Sequence, residues 1–319
     1  LIVADDLGYG DVGAYGQPRI RTPNIDALAR RGLRFTDFYS GSTVCAPSRA
    51  ALMTGLHTGH AQVRGNREIR PMGQHPLAEG TETMGRILQR AGYRTGLFGK
   101  WGLGGPDSTG EPNRQGFDEF FGYLCQRHAH NFYPEFLFRN AERVPLRNVL
   151  PEPKRDDGAG VASEKVDYSH DLIAEEALAF LDRAAGGPFF LALTATLPHA
   201  NNEGGQDGME VPDLGQYAGE DWPERQKQLA AMISRLDADV GRVVAKLDEL
   251  GLSERTLVLF TSDNGPHREG GNDPAYFRSS GPLRGIKRDL YEGGVRVPLV
   301  AVWPGRVPEG RTTAHVGAF

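Results

Sequence analysis

The chain has 319 residues, 39% hydrophobic and 24% charged, with 36 lysines and arginines against 41 aspartates and glutamates and a formal net charge of −5. This balance gives no global basic field for nucleic acid and no acidic run of a disordered tail, and no apolar run approaches the ~18–20 residues of a membrane span. The 42 glycines and 21 prolines follow no collagen period, so they describe a globular protein with long ordered loops, where function tends to collect.

In chain order, Leu1–Ala4 reads as the end of a buried strand, and Thr22-Pro23 opens a helix that runs through Arg31 to a stop at Gly32. A strand is expected over Leu33–Tyr39. A helix begins at Cys45 and stops at Gly55, with Pro47 in its first turn. Met84–Ala91 is a short helix closed by Gly92, and Tyr93–Phe98 a strand. Asp171–Arg183 has helical periodicity, and Pro188–Thr194 is a nearly continuous apolar run, as a strand buried on both faces would be. Between Glu224 and Leu250 apolar residues recur at three- and four-residue steps up to Gly251, and Thr256–Thr261 and Val297–Val302 follow as strands. The alternation predicts an α/β fold, a three-layer sandwich around a large, mostly parallel central sheet.

In such sheets ligands gather beyond the carboxyl ends of the strands. Polar residues stand there: Asp5-Asp6, Lys100, His199 and Asp263-Asn264. The carboxylates and the amide offer oxygen only, the preference of calcium or magnesium rather than zinc. Adjacent residues on a strand face opposite ways, so Asp5 and Asp6 can share a cation only where the strand ends. Taken singly, these are also ordinary turn residues.

Cys45 and Cys125 are the two cysteines. A disulfide between them is one alternative; a buried inert thiol is another. The setting of Cys45 favours chemistry, because it stands at a helix N-terminus, where anions are favoured. Arg49, four residues on, shares its helical face.

Cys45-Ala46-Pro47-Ser48-Arg49 resembles the signature of type I sulfatases. Further blocks resemble that family in order: Ala4-Asp5-Asp6-Leu7-Gly8-Tyr9-Gly10-Asp11, Thr22-Pro23-Asn24-Ile25-Asp26, Gly99-Lys100-Trp101, Ser262-Asp263-Asn264-Gly265, and Gly285-Ile286-Lys287-Arg288 leading to Glu292-Gly293-Gly294-Val295-Arg296-Val297-Pro298. The resemblance implies an alkaline-phosphatase-like fold and sulfate ester hydrolysis. It implies Asp5, Asp6, Asp263 and Asn264 as ligands of calcium, with magnesium as the alternative, and a formylglycine made from Cys45 on or near the metal. One hydroxyl of the hydrated aldehyde would attack sulfur, and the other would expel sulfate. Arg49, Lys100 and Lys287 would hold the developing charge, and His199 would protonate the leaving oxygen.

The same resemblance implies a sulfated small molecule or carbohydrate as substrate and a formylglycine-generating maturation enzyme as partner. It implies a periplasmic, secreted or lysosome-like compartment. It makes residues 1–319 one catalytic domain, cut at both ends and lacking a C-terminal subdomain. Many members carry a histidine two residues after the lysine, where this chain has Gly102; His128 or His130 is expected to supply that contact, with a pair that binds substrate or is merely exposed as the alternative. Arg19, Arg64, Arg67 and His75 are further pocket candidates. Phosphonate monoester or phosphodiester hydrolysis is the alternative activity, and an inactive binding module the alternative class.

Overall fold

Ile2–Ala4 forms strand β1, and each of its residues is buried, because the strand lies inside a ten-stranded sheet. The structure, a computed structural model, describes residues 1–319. The remaining strands are β2 (Leu33–Phe35), β3 (Phe38–Tyr39), β4 (Arg94–Lys100), β5 (Glu119–Tyr123), β6 (Phe136–Arg139), β7 (Glu142–Pro145), β8 (Phe189–Thr194), β9 (Val258–Ser262), β10 (Leu299–Val302), β11 (Arg311–Thr313) and β12 (Gly317–Ala318). The helices are α1 (Pro23–Arg31), α2 (Cys45–Thr54), α3 (Met84–Arg90), α4 (Ser169–Ala184), α5 (Glu224–Glu249) and the single turn α6 (Glu292–Val295). No helix is long and apolar enough to cross a membrane.

The sheet order is β11-β2-β10-β9-β1-β8-β4-β5-β6-β7. Its centre, β9-β1-β8-β4-β5, is parallel throughout. β10 pairs antiparallel with β9 and β2, and the β6–β7 hairpin adds antiparallel pairs beyond β5. Neighbouring residues on the central strands feed different cores, since a strand alternates its side chains. Phe98, Phe121 and Leu193 join Ile25, Phe180 and Leu236 of α1, α4 and α5. Leu97, Phe120 and Ala192 join Ala46, Ala50 and Met53 of α2. Helices therefore cover both faces, as the alternating apolar pattern predicts.

Asp237 of α5 shows how a polar group is kept inside this packing. Its carboxylate accepts the backbone amides of Asn24 at 3.2 Å and Ile25 at 2.8 Å. This satisfies donors at the start of α1 that no helical carbonyl can reach.

The strand expected over Leu33–Tyr39 is corrected to two. Leu33–Phe35 pairs with β10 and β11, whereas Phe38–Tyr39 pairs with β12 in a separate two-stranded sheet. Thr36 and Asp37 hand the chain across: the Arg296 guanidinium donates to the Thr36 carbonyl at 2.7 Å and pairs with Asp37 at 2.7 Å.

Candidate active site

The four strands β9-β1-β8-β4 run side by side and parallel, so their carboxyl ends open on one edge. Asp5 and Asp6 follow β1, Asp263 and Asn264 follow β9, Lys100 ends β4, and His199 comes from the loop after β8. Asp6 has φ of 64°, the left-handed conformation that a short polar side chain tolerates. This kink ends the strict alternation and brings both carboxylates into one cluster. The Asp6 amide donates to Asp263 Oδ1 at 3.1 Å, and the Leu7 amide to Ser262 Oγ at 3.0 Å, fixing the turn against β9.

Cys45 opens α2, and the preceding Val44 supplies no side-chain cap. The Ala46 amide instead donates to Asn66 Oδ1 at 2.9 Å. The Cys45 thiol lies 3.5 Å from Asp5 Oδ1. One turn on, Arg49 donates from Nε to Asp263 Oδ2 at 3.0 Å and from Nη1 to the Lys100 carbonyl at 2.6 Å. Lys100 Nζ donates to Asp5 Oδ2 at 2.7 Å, and Lys287 Nζ to Asp6 Oδ2 at 2.6 Å. Three carboxylates thus face three cations, all of them buried.

His199 Nδ1 lies 2.6 Å from the Ala200 carbonyl, which can only accept, so Nδ1 carries the proton. Nε2 is left to accept from Lys287 Nζ at 3.1 Å. Burial, with Lys287 and Lys100 beside it, holds this imidazole neutral, well below its ordinary pKa. Burial would raise the Asp5 carboxyl, but Lys100 and Arg49 hold it below the usual range. Asp263 is pushed up to about 7 by burial and by Asp5 beside it. Burial also pushes the Cys45 thiol up to about 12, against the pull of Lys100. As a thiol, Cys45 is protonated at neutral pH and a poor nucleophile.

The site fits a hard divalent cation. Ligand atoms of Asp5, Asp6, Cys45 and His199 lie within 4.8 Å of one another. Asn264 donates from Nδ2 to Asp6 Oδ1 at 2.6 Å, while its buried Oδ1 has no partner. An orphaned amide oxygen beside carboxylates is a donor that suits an oxygen-seeking ion. His199 thus joins Asp5, Asp6 and Cys45, which the sequence already placed at or near the metal.

The structure separates the two candidate histidines. His130 stacks on His199 with centroids 5.0 Å apart and planes at 12°, and its Nδ1 lies 3.1 Å from Glu203 Oε2. His128 lies apart: its ring packs against Tyr123, Phe136 and Phe138, none of them in the cluster, and neither ring nitrogen is bonded. Burial lowers its pKa to about 3. Neither histidine fills the space at Gly102; a Cβ built there would meet Gln126 Cδ at 2.8 Å. Arg19 is also occupied elsewhere, over the rings of Tyr276 and Phe277 at 4.4 and 4.5 Å.

Sequence reasoning missed His267, which stacks 5.9 Å from His199 and groups with Asp6 and Glu269. Its nearness to Asp263-Asn264 in the chain was the available signal. Asn66 and Glu203 were also missed, because they reach the site only through tertiary packing, as was Gln126, which packs against Gly102.

A family model described as Sulfatase matches residues 1–318, and the chain belongs to the sulfatase family. It is 37% identical to arylsulfatase A of Homo sapiens over 98% of its own length and 60% of that protein's. It is 32% identical to the N-acetylgalactosamine-6-sulfatase of Canis lupus familiaris, over 100% of its length and 59% of the relative's. The chain therefore spans about three fifths of these curated relatives. Among solved structures, Ps i-CgsB in complex with k-i-k-neocarrahexaose superposes with a TM-score of 0.80 at 29% identity, covering 99% of this chain and 68% of that one.

Proposed function

We propose that this region carries the catalytic centre of a sulfate ester hydrolase that works through a formylglycine derived from Cys45 and a bound calcium ion. The observation that carries the reading is a buried cysteine at a helix N-terminus, beside a balanced set of three carboxylates and three cations. Burial raises the pKa of its thiol, which suits a side chain that acts after conversion rather than as a thiolate.

Asp5, Asp6, Asp263 and Asn264 would hold the cation, with Cys45 and His199 at its margin. When bound, the ion would polarise the oxygens of the ester and make a hydroxyl at position 45 more acidic. Lys100 and Arg49 orient the anion from the α2 side. Both are fixed before substrate arrives, Lys100 by Asp5 and Arg49 by Asp263 and the Lys100 carbonyl; such preorganised donors are what stabilise developing charge. Lys287 and His199 form the proton-handling pair: Nε2 carries no proton in this arrangement and would take one from Lys287 Nζ before passing it to the departing oxygen.

A sulfated carbohydrate is the proposed substrate class. The oligosaccharide bound to Ps i-CgsB supports it. A formylglycine-generating enzyme is the proposed maturation partner, and a periplasmic, secreted or lysosome-like compartment the proposed setting. Mass spectrometry of the Cys45 peptide from the native host should find the aldehyde, and nitrophenyl sulfate should be hydrolysed faster than a phosphonate monoester. Cys45→Ala should remove turnover by ~10³-fold or more, as losing a covalent nucleophile does. An unmodified thiol in an active protein, or a preference for the phosphonate, would overturn the reading.

A further inference from the structure

Gln126 is a polar side chain at this edge that the proposed reaction does not use. It is 4% exposed, and neither its amide nitrogen nor its amide oxygen has a hydrogen-bond partner. An unpaired buried polar group costs ~1–3 kcal/mol, so the fold holds this amide against its own stability.

Its location is defined by the strands that carry it. β4 and β5 pair in parallel up to Lys100 and Tyr123, and the Gly102 amide then donates to the Leu124 carbonyl at 3.1 Å. The turns leaving both strands therefore run together at the edge where Lys100 meets Asp5. Gln126 reaches back across this contact. A Cβ on Gly102 would collide with its amide nitrogen and lie 2.8 Å from its Cδ, and Gly102 has φ of 76°, a conformation that glycine adopts freely. On the other side, Arg127 donates to Glu203 at 3.2 Å, and Glu203 also holds His130 against His199. Gln126 thus lies against the turn that follows Lys100, and its chain neighbour Arg127 is tied through Glu203 to the histidine stack.

We propose that Gln126 is a substrate-contacting residue, whose amide N–H bonds an oxygen of the anion bound at the site, from the space that Gly102 leaves open. The inference rests on the sulfate-ester reading for the identity of that anion. An amide neither charges nor titrates, so it adds a directional contact and no ionisation of its own to the pH profile.

Gln126→Met in the full-length protein tests this, because methionine keeps the length and removes the polar atoms. The Tm should stay level or rise, while KM for nitrophenyl sulfate and the dissociation constant for inorganic sulfate, read by calorimetry, rise about tenfold, the equivalent of ~1.4 kcal/mol. A fall in Tm with unchanged sulfate affinity would overturn the proposal and make Gln126 a structural residue. Gly102→Ala should reproduce the weaker binding, and should add nothing in a Gln126→Ala background, because the two side chains compete for one space. Fully additive losses would overturn that pairing. Sulfate affinity is read without turnover. A wild-type protein that binds sulfate but leaves the ester intact would refute the activity, and the Gln126 variants would still be judged on affinity.

Discussion

Two buried polar regions lie on either side of β5, and they hide their polarity in opposite ways. At the carboxyl edge of the sheet, Asp5, Asp6 and Asp263 are each met by a cation within hydrogen-bond distance. Around His128, one neutral imidazole lies among aromatic rings with both nitrogens unpaired. Burial is common to both. Assembling charges out of water costs several kcal/mol per ion before their attraction repays it, and a fold keeps such a cluster where chemistry needs it. A neutral ring in an aromatic nest is packing. His130 belongs to the first region although it is two residues from His128, because it is tied to Glu203 and stacked on His199.

The contrast can be broken most sharply at Lys287. Replacing it with Met strands Asp6 as an uncompensated buried charge, so stability should fall by ~3–5 kcal/mol and turnover of nitrophenyl sulfate should fall with it. Retention of both in thermal unfolding and kinetics would mean that the edge is not a charge-balanced unit. The next effect is the metal. Calcium at a hundred times its dissociation constant should stabilise the chelated protein by ~2.7 kcal/mol. Asn264→Ala should weaken this gain and His128→Phe should leave it intact, both read as calcium-dependent Tm shifts.

The His128 region gives a pH signature. Its folded pKa, about 3, lies below the ordinary 6.5, so its contribution to stability is complete above 6.5 and is lost as pH falls toward 3. In that window wild type should lose up to ~1.4 kcal/mol per pH unit that His128→Phe does not lose. Parallel acid limbs in the two proteins would place a charged partner beside His128. His130→Ala should give the smallest effect, roughly fivefold in kcat/KM from the loss of ~1 kcal/mol of contact.

The strand ends bearing Asp5, Asp6, Lys100 and Asp263 were legible because buried parallel strands are written as unbroken apolar runs that stop at polar residues. The helix from Cys45 was legible from Pro47 and Gly55, which is left-handed at its stop with φ of 67°. The break between β2 and β3 was not, because Arg296 and Thr313, far along the chain, decide where Thr36 and Asp37 leave the sheet. The division of the histidine pair was hidden for a related reason. His128 and His130 share one short turn, and only the tertiary placement of Phe136 and Glu203 sends one ring to the nest and the other to the site. Gln126 carried no local signal at all; its meaning comes from the missing Cβ of Gly102.

The equal numbers of carboxylates and cations at the edge have a thermodynamic consequence. With Asp5, Asp6 and Asp263 ionised, the cluster is electrically neutral, so a divalent cation entering alone would leave two positive charges uncompensated in a buried space. An oxyanion entering alone would leave the opposite excess. Each ion therefore improves the reception of the other, and linkage requires the improvement to be reciprocal. Sulfate should tighten calcium binding by the same factor by which calcium tightens sulfate binding. The protein would then behave at this edge as a receptor for an ion pair rather than for either ion.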